Sequence, residues 1–424
     1  MKIRTPVAGS LLLATITLAA CSTAPPGGSA PASTASGGAV SGTLTMIYFT
    51  GFKDALTPVV KAFEQKYPGT KVDVSYSGGD VLSAISTQLQ AGTAPDLFIS
   101  LPGRSAAMGV GLLGSQGKLL DLSDSPWAAD VPQPWRDDVS DKGKLYAYPG
   151  TLQGLGGIYN QTKLKELGLE VPKTWSEVLQ FCKSAKDHGV YAYAQGFNDS
   201  GGPQMMYLAL SSTLVYGPTP DFTRQLRDGK TTLAASPWKQ VLEKYKQMYD
   251  TGCFGEGVLG RTRQQGGDEV AAGKALAITE VGAGLAPVQK AAPSSEFVMA
   301  PIPATDNPAD TYFPALPGFT LSGNAQAKNP AAVKAFLNLL AEPEHINEYS
   351  KAYMSVPAIP NDTFKPPAVL ASFNEAVAAG KSSKIPDWGN LKVNEVAQQG
   401  MQAILLGKDT IDGVLQKMQE SLEG

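Results

Sequence analysis

Histidine is almost missing from this chain of 424 residues, which contains only His188 and His345. A metal site built from three histidines of one chain is therefore excluded, and the spacing of the two does not fit a zinc-binding helix motif. Charged residues are also scarce, at 17%, and the formal net charge is −3. Because a protein that tracks phosphates needs an excess of Lys and Arg, the composition does not predict a nucleic-acid-binding protein.

The sequence also lacks the common enzyme motifs. It contains no phosphate-binding loop and no Gly-x-Ser-x-Gly nucleophile elbow. The pattern G-x-G-x-x-G occurs at 109–114 and 255–260, but neither match follows a predicted strand. A pair of carboxylates for glycoside cleavage stays open, because 38 acidic residues allow many pairs and no spacing selects one.

The N-terminus has the features of an export signal. Lys2 and Arg4 precede the apolar stretch 7–20, which is too short to span a bilayer comfortably, and Cys21 follows directly. Small residues before that cysteine resemble the lipobox of bacterial lipoproteins, in which the thiol receives a diacylglycerol. Residues 22–41 are uncharged and rich in Ser, Ala, Gly, Pro and Thr, so they predict a flexible tether. We therefore expect an exported protein that is lipid-anchored at Cys21.

Lipidation of Cys21 leaves two further cysteines, Cys182 and Cys253. In an oxidising exterior they can pair as a disulfide. Alternatively, each is a small buried apolar side chain, because Cys182 falls on the apolar face of a predicted helix. The sequence leaves these two interpretations open, and it does not predict a catalytic thiol.

The remaining chain alternates strand and helix patterns. Strands are predicted at 44–49, 71–76 and 97–99, and helical periodicity lies between them. A second such series includes the capping box Thr174–Glu177 and strands at 190–194 and 275–279. Alternation of this kind predicts mostly parallel sheets with right-handed crossovers, in which ligands bind beyond the carboxyl ends of the strands.

Short motifs in a fixed order support a more specific interpretation. They are found at 63–69, 90–97, 156–160, 167–177, 272–277, 316–319 and 328–337. In order and spacing they resemble family 1 extracellular solute-binding proteins, the sugar-binding subunits of ABC importers, which are similar to maltose-binding protein. The resemblance covers nearly all of residues 42–424.

The resemblance implies an α/β protein with the two-lobed periplasmic-binding-protein fold (type II). Each lobe is a mostly parallel sheet flanked by helices, and crossover hinge segments join the lobes. We expect a signal peptide at 1–21 and a tether at 22–41. The expected first lobe is 42–152 plus about 276–330, and the expected second lobe is about 153–275 plus 331–424.

The implied function is that of a receptor without enzymatic activity. It encloses a sugar or oligosaccharide by hinge closure and delivers it to the permease of an ABC transporter. We expect a monomer on the outer face of the cell membrane, with no cofactor, metal or nucleic-acid partner. One alternative is the same receptor class for a polyol phosphate, a peptide or a polyamine. The other is an anchored carbohydrate-degrading enzyme.

A sugar site needs polar side chains for the hydroxyls and aromatic rings for the apolar ring faces. One departure from the family pattern is that 279–284 lacks the Gly-x-Trp often found there. The candidate ligand-binding residues are Tyr48, Thr50, Ser77, Gly79 and Arg104 in the first lobe, Tyr148 and Gln153 in the crossover, and Phe197, Asn198, Asp199, Glu280, Phe319 and Trp388 elsewhere.

Overall fold

The computed structural model describes residues 40–104, 106–199, 201–388 and 390–423. The expected signal peptide (1–21), the lipidation site Cys21 and nearly all of the expected tether (22–41) lie outside the described residues. Within the described part of the chain, no helix combines the length and apolar character needed to cross a membrane.

The described residues form strands and helices in alternation through most of the chain. The strands are β1 (Gly42–Phe49), β2 (Thr70–Ser77), β3 (Leu97–Ser100), β4 (Ser140–Asp141), β5 (Lys144–Leu145), β6 (Thr151–Asn160), β7 (Tyr191–Tyr193), β8 (Ala275–Val281), β9 (Phe297–Ala300), β10 (Phe313–Pro317), β11 (Thr320–Gly323), β12 (Val356–Pro357) and β13 (Ser382–Lys384). The helices are α1 (Lys53–Lys66), α2 (Val81–Ala91), α3 (Val110–Ser115), α4 (Gln133–Arg136), α5 (Gln161–Leu167), α6 (Trp175–Asp187), α7 (Gly202–Ser211), α8 (Phe222–Arg227), α9 (Trp238–Asp250), α10 (Arg263–Ala271), α11 (Leu285–Ala291), α12 (Pro330–Ala341), α13 (Pro343–Ala352), α14 (Ala371–Ala378), α15 (Leu391–Leu405) and α16 (Ile411–Glu423).

Four strands make up the first sheet, in the order β11-β3-β1-β2. Strands β1, β2 and β3 are parallel, and β11 is antiparallel to β3. The parallel part is the β-α-β-α-β series that the sequence predicts. Helices α1 and α2 carry their buried residues on one face, and α1 connects the neighbouring strands β1 and β2, whereas α2 connects β2 to β3 on the other side of β1.

Seven strands make up the second sheet, which is built around β6. Its main path is β13-β10-β6-β8-β7, and β9 and β12 also pair with β6. Strand β6 is antiparallel to each of its partners, whereas β7 is parallel to β8 and β13 is parallel to β10. All ten residues of β6 are buried, which fits its central position.

The chain passes between the two sheets at three crossovers. In the first, Tyr148 bridges to Leu321 of the first sheet and β6 begins three residues later. The second is the short connection 318–319 between β10 and β11, and the third is 353–355 between α13 and β12. Because the three crossovers lie side by side, they form the hinge region that a two-lobed fold requires.

The structure places two segments differently from the expected lobe boundaries. Strands β8, β9 and β10, which were expected in the first lobe, lie in the second sheet, where each pairs with β6. Helices α12 and α13, which were expected in the second lobe, pack with the first sheet. The ring of Phe336 lies 5.2 Å from that of Phe63 on α1, and the Tyr349 hydroxyl lies 2.6 Å from that of Tyr48. Long-range contacts of this kind determine to which lobe a segment belongs.

A disulfide joins Cys182 on α6 to Cys253, which follows α9. Both cysteines are buried in the core that also contains Trp175, Tyr193 and Phe254. The structure therefore selects the paired interpretation of the two that the sequence left open. The bond closes a segment in which the two cysteines are 71 residues apart, so it restricts the unfolded chain strongly.

We expect the variant Cys182→Ala/Cys253→Ala to lose about 2–4 kcal/mol of unfolding free energy, because the cross-link no longer limits the unfolded chain. Chemical denaturation under non-reducing conditions measures this loss. Wild-type protein denatured in dithiothreitol is the control and should match the double variant. Equal denaturation midpoints for the double variant and the oxidised wild type would contradict the prediction.

The buried carboxylate of Asp96 connects separate parts of the first lobe. One oxygen accepts hydrogen bonds from the backbone and the hydroxyl of Thr45 on β1, at 3.0 and 2.7 Å. The other accepts from the backbone N–H of Lys328 at 2.6 Å. Burial by itself raises the pKa of Asp96, but the hydrogen bonds from Thr45, Lys328 and Asn329 favour the charged form and hold the pKa below its usual range.

We expect Asp96→Asn to lower the unfolding free energy at pH 7 by about 2 kcal/mol, because hydrogen bonds to a charged acceptor are lost. A depressed pKa stabilises the fold above the pKa of the unfolded carboxyl, and this contribution is lost as the pH falls through the folded pKa. The difference in unfolding free energy between wild type and variant should therefore become smaller below about pH 4. Denaturation across pH measures it, with the exposed Asp73→Asn on β2 as control. A gap that stays constant down to pH 2 would refute the assignment.

Candidate functional site

Both sheets direct the carboxyl ends of their strands towards the crossovers. In the first sheet, β11 enters from the second crossover antiparallel to β3, so Thr320 pairs with Ser100 at the end of β3. Strands β1 and β2 run parallel to β3 and end at the same edge. In the second sheet, β6 starts at the first crossover, so its antiparallel partners β8 and β10 end there. Ligands of open α/β sheets bind beyond such strand ends.

The candidate site is therefore formed by the segments that follow these strand ends, which we call the carboxyl-edge segments. They are 50–52, 77–79, 101–104, 195–199, 282–284, 318–319 and 385–388.

An aromatic surface lies at the crossovers. Four half-buried rings form it, and we call them the crossover aromatic group: Phe49, Phe52, Phe319 and Tyr353. The ring centroid of Phe52 lies 4.1 Å from that of Tyr353 and 5.8 Å from that of Phe319, and Phe49 lies 4.8 Å from Phe319. Because each ring keeps part of its surface exposed, the group offers an apolar face on which a ligand ring can stack.

Hydrogen bonds hold this aromatic surface in place. The side-chain amide of Gln153 donates to the hydroxyl of Tyr353 at 2.6 Å, which connects the first crossover to the third. Burial raises the pKa of Tyr353, so its hydroxyl keeps its proton. The carbonyl oxygen of the Gln153 side chain is buried and has no hydrogen-bond partner among the described residues. It is an acceptor whose desolvation a ligand hydroxyl would offset.

A charged cluster lies at the edge of the second sheet. The guanidinium of Arg263, at the start of α10, donates from Nε and Nη2 to one oxygen of Glu280 at 2.7 and 2.5 Å. The backbone N–H of Arg263 donates to both oxygens of Asp199 at 3.1 Å. Glu280 is nearly buried, with 6% of its side chain exposed, whereas Arg263 has 34% exposed. We call Asp199, Arg263 and Glu280 the Arg263 cluster.

Three glycines make the Arg263 cluster sterically feasible. A Cβ on Gly196 would lie 2.6 Å from the backbone nitrogen of Arg263, and one on Gly284 would lie 2.0 Å from Cγ of Glu280. A Cβ on Gly202 would lie 2.2 Å from the Gly196 carbonyl oxygen. A larger residue at any of these positions would displace backbone or a bonded carboxylate, so the charged groups are enclosed by close backbone approach.

The crossover aromatic group and the Arg263 cluster lie on neighbouring segments. Gly282 follows Glu280 by two residues, and a Cβ there would lie 2.3 Å from the carbonyl oxygen of Met354, which follows Tyr353. The third crossover therefore packs directly on the turn after β8. The segment after Tyr353 and the segment after Glu280 are therefore in contact through their backbones.

Two further ion pairs lie on the other side of this edge. Arg104, after β3, pairs with Asp141. Lys384, at the end of β13, pairs with Asp138 at 2.9 Å and so connects the second sheet to the segment after α4. Burial raises the pKa of Asp138, and the charge of Lys384 opposes this rise without cancelling it.

The sequence-derived candidates all lie near the carboxyl edge, but they differ in accessibility. The exposed ones are Thr50, Gly79, Arg104 and Asn198; the half-buried ones are Ser77, Asp199 and Phe319; and the buried ones are Tyr48, Tyr148, Gln153, Phe197, Glu280 and Trp388. Ligand contact by the accessible residues stays a prediction.

Several of the buried aromatic candidates pack in the cores. The ring centroid of Phe197 lies 5.8 Å from that of Tyr245, and the ring centroid of Trp388 lies 5.2 Å from that of Trp238. Tyr148 lies 4.9 Å from Trp127 and has 1% of its surface exposed. In this conformation these rings offer no face to a ligand, because their surfaces are covered by other side chains.

The candidates from the sequence did not include Phe49, Phe52, Tyr353 or Arg263. Phe49 is the last residue of β1, and Phe52 follows it closely. Ligands of α/β sheets bind beyond the carboxyl ends of strands, which we call the strand-end rule, and this rule applied to every aromatic residue identifies both. No local signal marks Tyr353 or Arg263, which reach the site only through the packing of α13 and α10.

Comparisons with known proteins agree with this architecture. Residues 49–346 match the model of the family "Bacterial extracellular solute-binding protein". The Melibiose/raffinose/stachyose-binding protein MelE of Bacillus subtilis is 24% identical over 306 residues, which cover 71% of this chain and 70% of that protein. The Multiple sugar-binding protein of Streptococcus mutans is 25% identical over 177 residues, or 40% of this chain and 41% of that protein.

The fold is found in solved structures of two-lobed solute-binding proteins. A family 1 extracellular solute-binding protein from Bifidobacterium longum subsp. infantis superposes with a TM-score of 0.74 at 21% identity, over 91% of this chain and 100% of that chain. The family model covers well over half of the sequence, and crossovers join two α/β lobes as expected of that fold, although the second sheet is mostly antiparallel around β6 rather than mostly parallel. The chain belongs to the bacterial extracellular solute-binding proteins.

Proposed function

We propose that this protein is a receptor for a sugar or oligosaccharide, which it delivers to the permease of an ABC transporter. The observation that carries the proposal is that the crossover aromatic group and the Arg263 cluster lie on segments that pack against each other through Gly282 and Met354. A sugar ring has apolar faces that stack on aromatic rings and hydroxyls that bond to planar polar side chains. The site supplies both kinds of surface at one edge.

The names of two relatives support this ligand class. One is a melibiose-, raffinose- and stachyose-binding protein, and the other is a multiple sugar-binding protein. The aromatic surface here is supplied by Phe52, Phe319 and Tyr353, whereas no tryptophan occurs in the turn 282–284. We infer that these rings stack on the ligand in place of the tryptophan that the family resemblance leads one to expect in that turn.

The three crossovers support closure of the lobes as the mechanism. A ligand at the carboxyl edge contacts residues of both sheets most fully when the lobes are closed, so binding shifts the population towards the closed form. Gln153 and Tyr353 stand on the first and third crossovers and Phe319 stands on the second. Ligand contacts at these residues therefore act directly on the segments about which the lobes rotate.

We also propose that the receptor is held at the outer face of the membrane by a diacylglycerol on Cys21, acting as a monomer. The supporting features are the basic residues Lys2 and Arg4, the short apolar stretch and the small residues before the cysteine. Two acyl chains suffice for stable anchoring, and the uncharged segment 22–41 provides the tether.

We expect one or more neutral saccharides from a panel that includes raffinose, stachyose and maltotetraose to raise the melting temperature of the protein, because a ligand that binds only the folded state stabilises it. A 100-fold excess over Kd corresponds to about 2.7 kcal/mol. Thermal shift, followed by calorimetry and a product assay, measures binding and turnover. A panel without any shift, or release of reducing ends from the bound saccharide, would contradict the proposal.

We expect Phe52→Ala to weaken binding of the saccharide identified in that screen by about tenfold or more, because loss of a stacking surface costs on the order of 1.4 kcal/mol. Calorimetric titration measures Kd. Phe364→Ala is the matched control, since Phe364 is also a half-buried phenylalanine but packs on the core of the second sheet and is not part of the crossover aromatic group. Equal affinities for Phe52→Ala and wild type would show that the aromatic group does not touch the ligand.

A further inference from the structure

Most of the basic side chains at the carboxyl edge already form ion pairs with carboxylates of the protein. Among the described residues, five basic side chains stand in the carboxyl-edge segments, adjoin them or bond to them, namely Lys53, Arg104, Arg261, Arg263 and Lys384. These are the groups that would have to neutralise an acidic ligand bound at this edge. Their existing partners therefore decide how the site treats ligand charge.

Four of the five are already paired with a carboxylate of the protein. Arg263 pairs with Glu280 at 2.5 Å, Lys384 with Asp138 at 2.9 Å, Arg261 with Glu269 at 2.7 Å, and Arg104 with Asp141. The carboxylates of Glu280, Asp141 and Asp138 have only 6%, 8% and 16% of their side chains exposed.

Breaking these ion pairs costs free energy. If a ligand anion took over the guanidinium of Arg263, Glu280 would be left charged and buried without its partner. The Arg263 cluster also contains Asp199 and therefore has two carboxylates for one guanidinium. An acidic group placed here meets net negative charge in a partly desolvated environment.

Lys53 is the exception, because no carboxylate of the protein pairs with it among the described residues. Its ammonium lies 5.6 Å from the ring of Tyr76 on β2. Strand β2 is the outer strand of the first sheet, at the opposite edge from β11 and the second crossover. Lys53 follows Phe52 of the crossover aromatic group directly in the chain, but its ammonium lies over the ring of Tyr76, and its contribution is tested separately below.

We propose that these pre-formed ion pairs make the site selective against acidic saccharides, so that the receptor takes neutral glycans and rejects uronate or phosphorylated ones. The inference rests on the proposed sugar-receptor function and adds the charge of the ligand to it. The aromatic group gives affinity for the ring faces that neutral and acidic sugars share. The ion pairs supply the discrimination, because they leave an acidic group without a counter-ion at four of the five basic side chains.

The first test uses wild-type protein and matched ligands. Raffinose, stachyose, maltotetraose and cellotetraose are each compared with the same saccharide in which one primary alcohol is oxidised to a carboxylate. For any saccharide that binds, we expect the Kd of the oxidised form to be about 100-fold higher. This is the size of effect expected when a charged group is buried without a partner of opposite charge. Calorimetry at low and high salt measures both affinities, and added salt should narrow the difference because it screens the repulsion.

The second test frees one basic group at a time. Glu280→Gln keeps a hydrogen-bonding side chain beside Arg263 but removes the negative charge, so it should improve the affinity for the oxidised saccharide relative to the neutral one by about tenfold. Asp141→Asn should act in the same direction through Arg104. The control Asp124→Asn makes the same charge change in the exposed pair with Lys334 and should leave the ratio unchanged.

The outcomes separate this inference from the function on which it rests. Neutral and oxidised forms that bind within about threefold of each other would overturn the charge selectivity and leave the sugar receptor standing. Failure of every saccharide in both forms would overturn both proposals. If Glu280→Gln no longer binds the neutral saccharide, the charge selectivity is judged from Asp141→Asn and from the wild-type affinities for the neutral and oxidised saccharides. Loss of binding of an oxidised saccharide in Lys53→Ala would show that Lys53 recognises anions, which also contradicts the proposal.

Discussion

The antiparallel pairing of β6 is the constraint on which the rest of the structure depends. Its ten residues are buried, so every backbone donor and acceptor in it needs a partner, and β8, β9, β10 and β12 supply them. Because β6 starts at the first crossover, each antiparallel partner runs towards that crossover. The direction of one strand thereby brings Glu280 and Phe319 to the edge that faces the first sheet.

Close packing around β6 explains its unusual glycine content. A Cβ on Gly156 would lie 2.4 Å from the carbonyl oxygen of Ala300 on β9, and one on Gly154 would lie 2.8 Å from the ring of Phe373. Side chains at these positions would push neighbouring strands or helix α14 away from β6. The motif 156–160, which supports the family resemblance, is therefore required by packing in the second sheet rather than by contact with ligand.

The parts of the fold that depend on local pattern could be predicted from the sequence. The three parallel strands of the first sheet agree with the expected ranges to within a few residues, because alternation and helical periodicity are local signals. Helix α1 begins at Lys53, and Pro58 stands inside the helix, because the turn Thr50–Phe52 leads directly into it. The sheet to which α12 belongs depends on contacts such as Phe63 with Phe336, which no local pattern reveals.

The same distinction applies to the candidate site. The strand-end rule found Thr50, Asp199, Glu280 and Phe319, because each follows or ends a recognisable strand. The rule could not tell an accessible ring from a buried one, and Trp388 packs on Trp238. It also could not supply Arg263, whose place beside Asp199 and Glu280 depends on close backbone approach at Gly196 and Gly202.

In the proposed mechanism affinity and closure are coupled, because the same crossovers carry the proposed ligand contacts and the hinge. Gly150 and Met354 have left-handed backbone conformations, with φ of 63° and 49°, in or beside the first and third crossovers. For Met354 this conformation costs roughly 1 kcal/mol, so the surrounding contacts must hold it. Tyr353, the residue before it, is held by Phe52 and Gln153. A ligand that packs on this ring adds to the contacts that maintain the strained conformation, and binding energy thereby acts on the hinge itself.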